Sequence, residues 1–238
     1  MDAQSIGEVW DRVTGTQPAP PGWLTLATGA AALLLVAARP LWRFARNAIT
    51  IAHEGGHGLA ALATRRKLAG IRLHSDTSGL TLSYGRPTGP GMVLTAAAGY
   101  CTPALLGLGC AALLAADRIT LLLWLAIALL LALLVRIRNA FGFLTVLLAG
   151  AAFFLVSWFG STDVQAGFAC LGSWFLLLGA VRPVLELQHQ RRRGQGGDSD
   201  ADQLARLTGV PGLAWVFLFL VTALACLGLG ASWLLSPL

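Results

Sequence analysis

Apolar residues along the chain fall into seven blocks, at 22–38, 47–64, 91–115, 119–135, 141–159, 164–185 and 210–235. Nearly every block is free of charge inside, and each is close to the ~20 residues that a helix rising 1.5 Å per residue needs to cross a bilayer core of ~30 Å. The pattern predicts an all-α polytopic membrane protein with about seven transmembrane helices. Between the second and third blocks the period changes. Ile71 and Leu73, then Leu80, Leu82 and Tyr84, alternate with polar residues around Thr77-Ser78-Gly79, which predicts a small β-hairpin within 68–90. Only three residues, 116–118, separate the third and fourth blocks, so these form an antiparallel helical hairpin.

The segments outside the blocks are short. Residues 1–21 form a polar tail with Asp2, Glu8 and Asp11 and without the basic start of a cleavable signal peptide. Residues 186–208 form a polar loop with Arg191-Arg192-Arg193, a glycine-rich piece and Asp198, Asp200 and Asp202. No internal repeat is visible, and no segment is large enough to fold alone in water. The chain, 1–238, reads as one membrane-embedded domain.

Composition agrees: 56 % of residues are apolar and 12 % charged, against about 25 % charged in an ordinary soluble domain. The net charge of +6 does not indicate nucleic acid, because Lys and Arg cluster between the blocks, where they orient spans. With seven spans and a cytoplasmic amino terminus, 13 basic residues fall on the cytoplasmic side and 4 (Arg39, Arg43, Arg46 and Arg118) on the other. The expected placement is a multi-pass protein of the cell membrane, with the hairpin and the Asp-rich loop in the cytoplasm. Cys101, Cys110, Cys170 and Cys226 lack metal or disulfide spacing and read as small core hydrophobes.

The second block carries His53-Glu54-Gly55-Gly56-His57. Histidines at i and i+4 share one helix face, so both imidazoles can ligate one zinc ion. The adjacent Glu54 then acts as general base toward a zinc-bound water. Ionisable groups inside a span are costly and mark a functional cavity. His57 lies eight residues, roughly 12 Å of helix, before Arg65, so the site is sunk in the membrane nearer the cytoplasmic surface. Gly55 and Gly56 either allow close helix packing or leave room for a substrate backbone.

HEGGH in a span, a hairpin after it, and Ala98-Gly99-Tyr100 within "AGYCTPALLG" together resemble the site-2 protease family of intramembrane zinc metallopeptidases, closest to its compact bacterial B-type branch. The resemblance runs from about Ile49 to Trp215 and includes the Arg138-Asn139 step and "SDADQLARLTGVP". It implies a catalytic helix running toward the cytoplasm, a β-rich element after it, and cleavage of peptide bonds in or next to transmembrane segments. A catalytic zinc takes three protein ligands and keeps one open position. The Asn-Pro…Asp-Gly segment that supplies the third ligand in better-known members is absent. The B-type resemblance makes Asp200, in Ser199-Asp200-Ala201, the first candidate, with Glu186 as the alternative; Asp200 also reads as an N-cap of a short helix at 203–208. His74 and His189 read as exposed loop residues, and Asn139 as a cap of the fifth helix.

Two other classes compete. One is a catalytically inactive scaffold of the same fold that binds other transmembrane proteins. The other is a transporter, which would carry charged residues in several facing spans, whereas Glu54 is the only carboxylate well inside a block. The partners expected for the protease are a transmembrane protein substrate and the lipid bilayer, with water entering through a polar funnel formed by the hairpin and the last loop.

Overall fold

The computed structural model describes Gly7, Trp10, Asp11 and residues 13–194 and 199–236. Much of the polar tail before Val13, and the stretch with Asp198, lie outside the described residues. The elements are α1 (Gly22–Ala37), α2 (Arg39–Ala63), β1 (Lys67–Leu73), β2 (Gly79–Tyr84), α3 (Pro90–Ala115), α4 (Ile119–Leu134), α5 (Ala140–Phe159), α6 (Thr162–Arg192), α7 (Asp200–Thr208) and α8 (Gly212–Leu235).

All seven apolar blocks are helices, but they do not make seven equivalent spans. Four of them, α3, α5, α6 and α8, are long and apolar enough to cross a membrane, and a fifth crossing arises if α1 and α2, bent by 101° at their junction, count as one broken span. The reason is length and charge. At 16 residues each, α1 and α4 reach about 24 Å, short of a ~30 Å core. At 25 residues α2 is long enough, but it carries three arginines besides HEGGH. It starts at Arg39, eight residues before the apolar block, with Pro40 in its first turn, where a missing N–H costs nothing. Arg39, Arg43 and Arg46 therefore ride on the same helix as the histidines.

The polar loop also differs from expectation. Ser161 caps α6 at Val164 N, the helix carries Pro183 in its interior without ending there, and the first left-handed residue after it is Gly194 at φ +71°. The helix therefore runs 31 residues and carries Glu186 and His189 on its last turns, where His189, Arg191 and Arg192 suit its negative end. What remains of the loop includes a second helix, α7.

At the centre, α3 packs against α2, α6 and α8. Small residues permit this: a side chain at Gly56 would meet Thr102 and Ala98 of α3, and one at Gly107 would lie 2.9 Å from Leu177 of α6. Ala96, Val184, Leu187, Ala201, Leu204, Val216 and Phe219 form a separate buried cluster that seats α7 against α3, α6 and α8. By contrast α5 exposes Phe143, Leu144, Leu148 and Leu155, the surface of a helix bordered by lipid. Cys170 and Cys226 are buried, Cys101 and Cys110 half-buried, and all four are free.

The hairpin is antiparallel, with Lys67 opposite Tyr84 and Leu73 opposite Gly79. Its turn is closed by Asp76, whose Oδ1 accepts from Ser78 N (2.9 Å) and Ser78 Oγ (2.6 Å). These Ser78 hydrogen bonds hold the Asp76 carboxyl below its ordinary value. Beyond β1 the chain between α4 and α5 adds a short parallel partner: Ile71 N donates to Arg136 O and Arg138 N to Ile71 O, both at 2.9 Å. Asn139 stands just before α5 but makes no cap bond. Its amide instead accepts from Leu73 N (3.2 Å) and donates to Leu73 O (2.6 Å), extending that edge. The cap reading is thus corrected: strand pairing takes the side chain.

Candidate metal centre

The i, i+4 spacing places the rings of His53 and His57 side by side on α2, with Nε2 atoms 3.1 Å apart. His57 is 9 % exposed, and its Nδ1 lies 2.7 Å from the carbonyl oxygen of Thr95 on α3. That carbonyl can only accept, so Nδ1 carries the proton and Nε2 keeps its lone pair free, the tautomer a metal requires. Gly99 stands over the pair. A Cβ there would fall 2.6 Å from His53 Nε2 and nearer still to His57 Nε2, so glycine keeps open the space in front of both nitrogens.

Asp200 enters from α7. Ser199, not Asp200, is the N-cap, accepting from Asp202 N at 3.3 Å. Asp200 is the first helical residue, and its Oδ2 lies 3.2 Å from His53 Nε2 and 3.3 Å from His57 Nε2. Its neighbour fixes the helix: Ser199 Oγ donates to Asp202 Oδ2 (2.6 Å), and Arg191 from the end of α6 forms an ion pair with Asp202. Asp202 is thereby held below its ordinary value although burial raises it.

Glu186, the other candidate, is engaged elsewhere. Its Oε1 accepts from Trp42 Nε1 (3.0 Å) and Arg182 Nε (2.9 Å), and its Oε2 lies 3.6 Å from Arg46. His74 sits at the hairpin turn, 3.2 Å from Ser78 Oγ, and His189 is exposed on α6. Among the described residues His53, His57 and Asp200 are the group whose ligand atoms converge, all within 4.8 Å.

Glu54, 5 % exposed, faces the hairpin. Thr81 Oγ1 donates to Glu54 Oε2 at 2.6 Å, and a Cβ at Gly79 would be 2.6 Å from Glu54 Oε1, so the hairpin lies directly on the carboxylate. Thr50 Oγ1, one turn earlier on α2, donates to Thr77 O (2.9 Å) and pins the turn. The strand is turned with Thr81 toward α2, while Leu80, Leu82 and Tyr84 are exposed. A cavity of about 210 Å³ opens here, lined by His53, Glu54 and Tyr100, by Thr77 to Gly79 of the hairpin, and by Trp42, Arg46 and Pro183. The funnel expected between hairpin and last loop is therefore bounded by the hairpin and α6. Gly55 has only Leu133 within 4 Å, so of the two glycines Gly56 serves packing and Gly55 leaves space.

A family model described as Peptidase M50B-like matches residues 26–230. The chain belongs to the Peptidase M50B-like family. Members of this family are zinc peptidases. No curated protein and no solved structure matches the chain. The M50B-like match covers α2, the hairpin, α3 and α7, every element that brings a side chain to this centre. The residues suit the metal. The three ligand atoms form a triangle with edges of 3.1, 3.2 and 3.3 Å, and a tetrahedral ion ~2.0 Å from each of its ligands needs edges of about 3.3 Å. Reading the sequence alone misses Thr81, Gly79, Thr95 and Arg46. Only Arg46 leaves a signal there, since Arg39, Arg43, Arg46, Thr50, His53 and His57 repeat at helical spacing.

Proposed function

We propose that the protein is an intramembrane zinc metalloprotease that hydrolyses peptide bonds in or next to transmembrane segments. The observation that carries this reading is the 3.1–3.3 Å triangle of His53, His57 and Asp200 beside a buried glutamate, in a chain of a peptidase family. His53 and His57 through Nε2, and Asp200 through Oδ2, would hold the ion. Zinc, when bound, supplies Lewis acidity that brings water toward a pKa of ~7 and polarises a carbonyl.

The chain's own residues do the rest. Glu54 takes the proton of the attacking water on its carboxylate and passes it to the nitrogen of the leaving amine. Thr81 holds Oε2 and so sets which oxygen is free. Thr95 holds the His57 tautomer. Gly79, lacking a side chain, lets the hairpin close onto Glu54, and Gly99 leaves the space in front of the two histidine nitrogens open. A continuous helix shields its peptide bonds, so substrates with helix-breaking residues near the cut should be preferred. The placement that goes with this reading is the cell membrane, with the amino terminus and the hairpin in the cytoplasm and a transmembrane protein as substrate.

The test uses zinc-loaded wild type and Glu54→Gln in detergent with single-span peptides carrying Gly or Pro in mid-span, and the same peptides with Leu there. Wild type should cut the first set faster than the second, and Glu54→Gln should be slower by at least ~100-fold. Zinc-loaded wild type that cuts nothing, or a Glu54→Gln variant that cuts as fast, contradicts the proposal.

A further inference from the structure

We infer that Arg46 forms an anion-binding subsite in the catalytic cavity, taking the carboxylate of an acidic substrate side chain about three residues from the bond that is cut. This rests on the reading of His53, Glu54 and His57 as the hydrolytic centre. Arg46 precedes His53 by seven residues on α2, two helical turns, so both lie on one face roughly 10 Å apart. Both line the same cavity. About three residues of extended peptide span that distance.

The charge around Arg46 is under-compensated. Arg182 is engaged through Nε and Nη1, donating to Glu186 at 2.9 Å, to the carbonyl of Val36, and toward Ala37 O at 3.4 Å. Glu186 is also occupied, since its Oε1 receives both Trp42 and Arg182. Arg46 reaches only the second oxygen, at 3.6 Å, beyond hydrogen-bonding distance, so two guanidiniums share one carboxylate. Of the five N–H donors that an arginine carries, none of those on Arg46 makes a hydrogen bond among the described residues. The guanidinium is nevertheless held in place. Its carbon lies 5.8 Å from the ring centre of Trp42, and Trp42 is 2 % exposed and fixed by its own bond to Glu186. A pre-positioned fork with open donors in a partly shielded cavity is suited to a carboxylate, which can accept two parallel hydrogen bonds.

The experiment digests a proteome-derived peptide library with zinc-loaded wild type, Arg46→Gln and Arg46→Glu in detergent and maps the cut sites by mass spectrometry. Wild-type sites should be enriched in Asp and Glu by about five- to tenfold at an offset two to four residues from the cut, the size of one ordinary hydrogen bond. Arg46→Gln should lose the enrichment and Arg46→Glu replace it with Lys and Arg, with zinc per chain unchanged. If Arg46→Glu does not accumulate, Arg46→Gln alone decides. Cutting without acidic enrichment, or enrichment that survives in Arg46→Gln, overturns the subsite and leaves the protease reading standing. A zinc-loaded wild type that cuts no peptide overturns both. Repeating the digest with phosphatidylglycerol in the micelles should keep the preference; its disappearance would assign the subsite to a lipid phosphate and overturn the proposal.

Discussion

Two helices of very different standing meet at the metal centre. The first, α2, has 25 residues, packs against α3 and both strands, and fixes its buried His57 through the carbonyl of Thr95. The second, α7, has nine residues. It is seated by Ala201 and Leu204 and tied at its start by the Ser199, Asp202 and Arg191 contacts. A helix that short has little stability of its own in water. Two of the proposed ligands thus come from a long, well-packed helix and the third from a short one tied at its start by an ion pair. The difference implies that α2 sets whether a metal binds and α7 sets how tightly.

The largest effect should come from the wall that both helices share. Gly99→Ala puts a methyl group 2.6 Å from His53 Nε2, so bound zinc should fall to a few per cent of the wild-type value by atomic emission; normal zinc would mean that the ion sits elsewhere. Next, Asp200→Asn keeps the shape but removes the anionic ligand. Cobalt titration followed in the visible spectrum should show an affinity lower by ~100-fold or more, with the histidine pair still binding. Asp200→Asn binding as tightly as wild type would remove α7 from the site.

A smaller change separates α7's anchoring from its ligand. Arg191→Ala should weaken cobalt binding by about 10-fold, within the range for residues that orient ligands, and the swap of Arg191→Asp with Asp202→Arg should recover part of it. No loss in Arg191→Ala would show that the apolar seat of Ala201 and Leu204 is sufficient. The smallest effect belongs to the hairpin. Thr81→Val removes the 2.6 Å bond to Glu54, so turnover of any cleaved peptide should drop several-fold, in line with one lost hydrogen bond of about 1 kcal/mol, with zinc content unchanged and Thr81→Ser restoring the rate.

The same contrast explains what the sequence makes legible. His53, Glu54 and His57 lie within five consecutive residues of one helix, so local periodicity alone places them together. Asp200 reaches them only through the packing of α7, and nothing local distinguishes its carboxylate from that of Asp202, which turns to Arg191. Its candidacy came from the resemblance. The hairpin was visible as period two, but which face meets Glu54 was not, because that follows from Thr50 of α2 bonding to Thr77 and Thr81 bonding to Glu54. The helix ends misled for a physical reason: apolarity marks where lipid begins, whereas the helices of α2 and α6 continue through Arg39 to Arg46 and through Glu186 to Arg192, where charged residues continue a helix as readily as apolar ones. For that reason the blocks gave the helices and overstated the number of full crossings.

The proposed centre is a single zinc held by α2 and α7. Its most direct test is zinc per chain, by atomic emission, in purified wild type and His57→Ala after zinc loading and removal of excess metal. One zinc in the wild type and close to none in His57→Ala is the predicted result; a wild type with no more zinc than His57→Ala would contradict it.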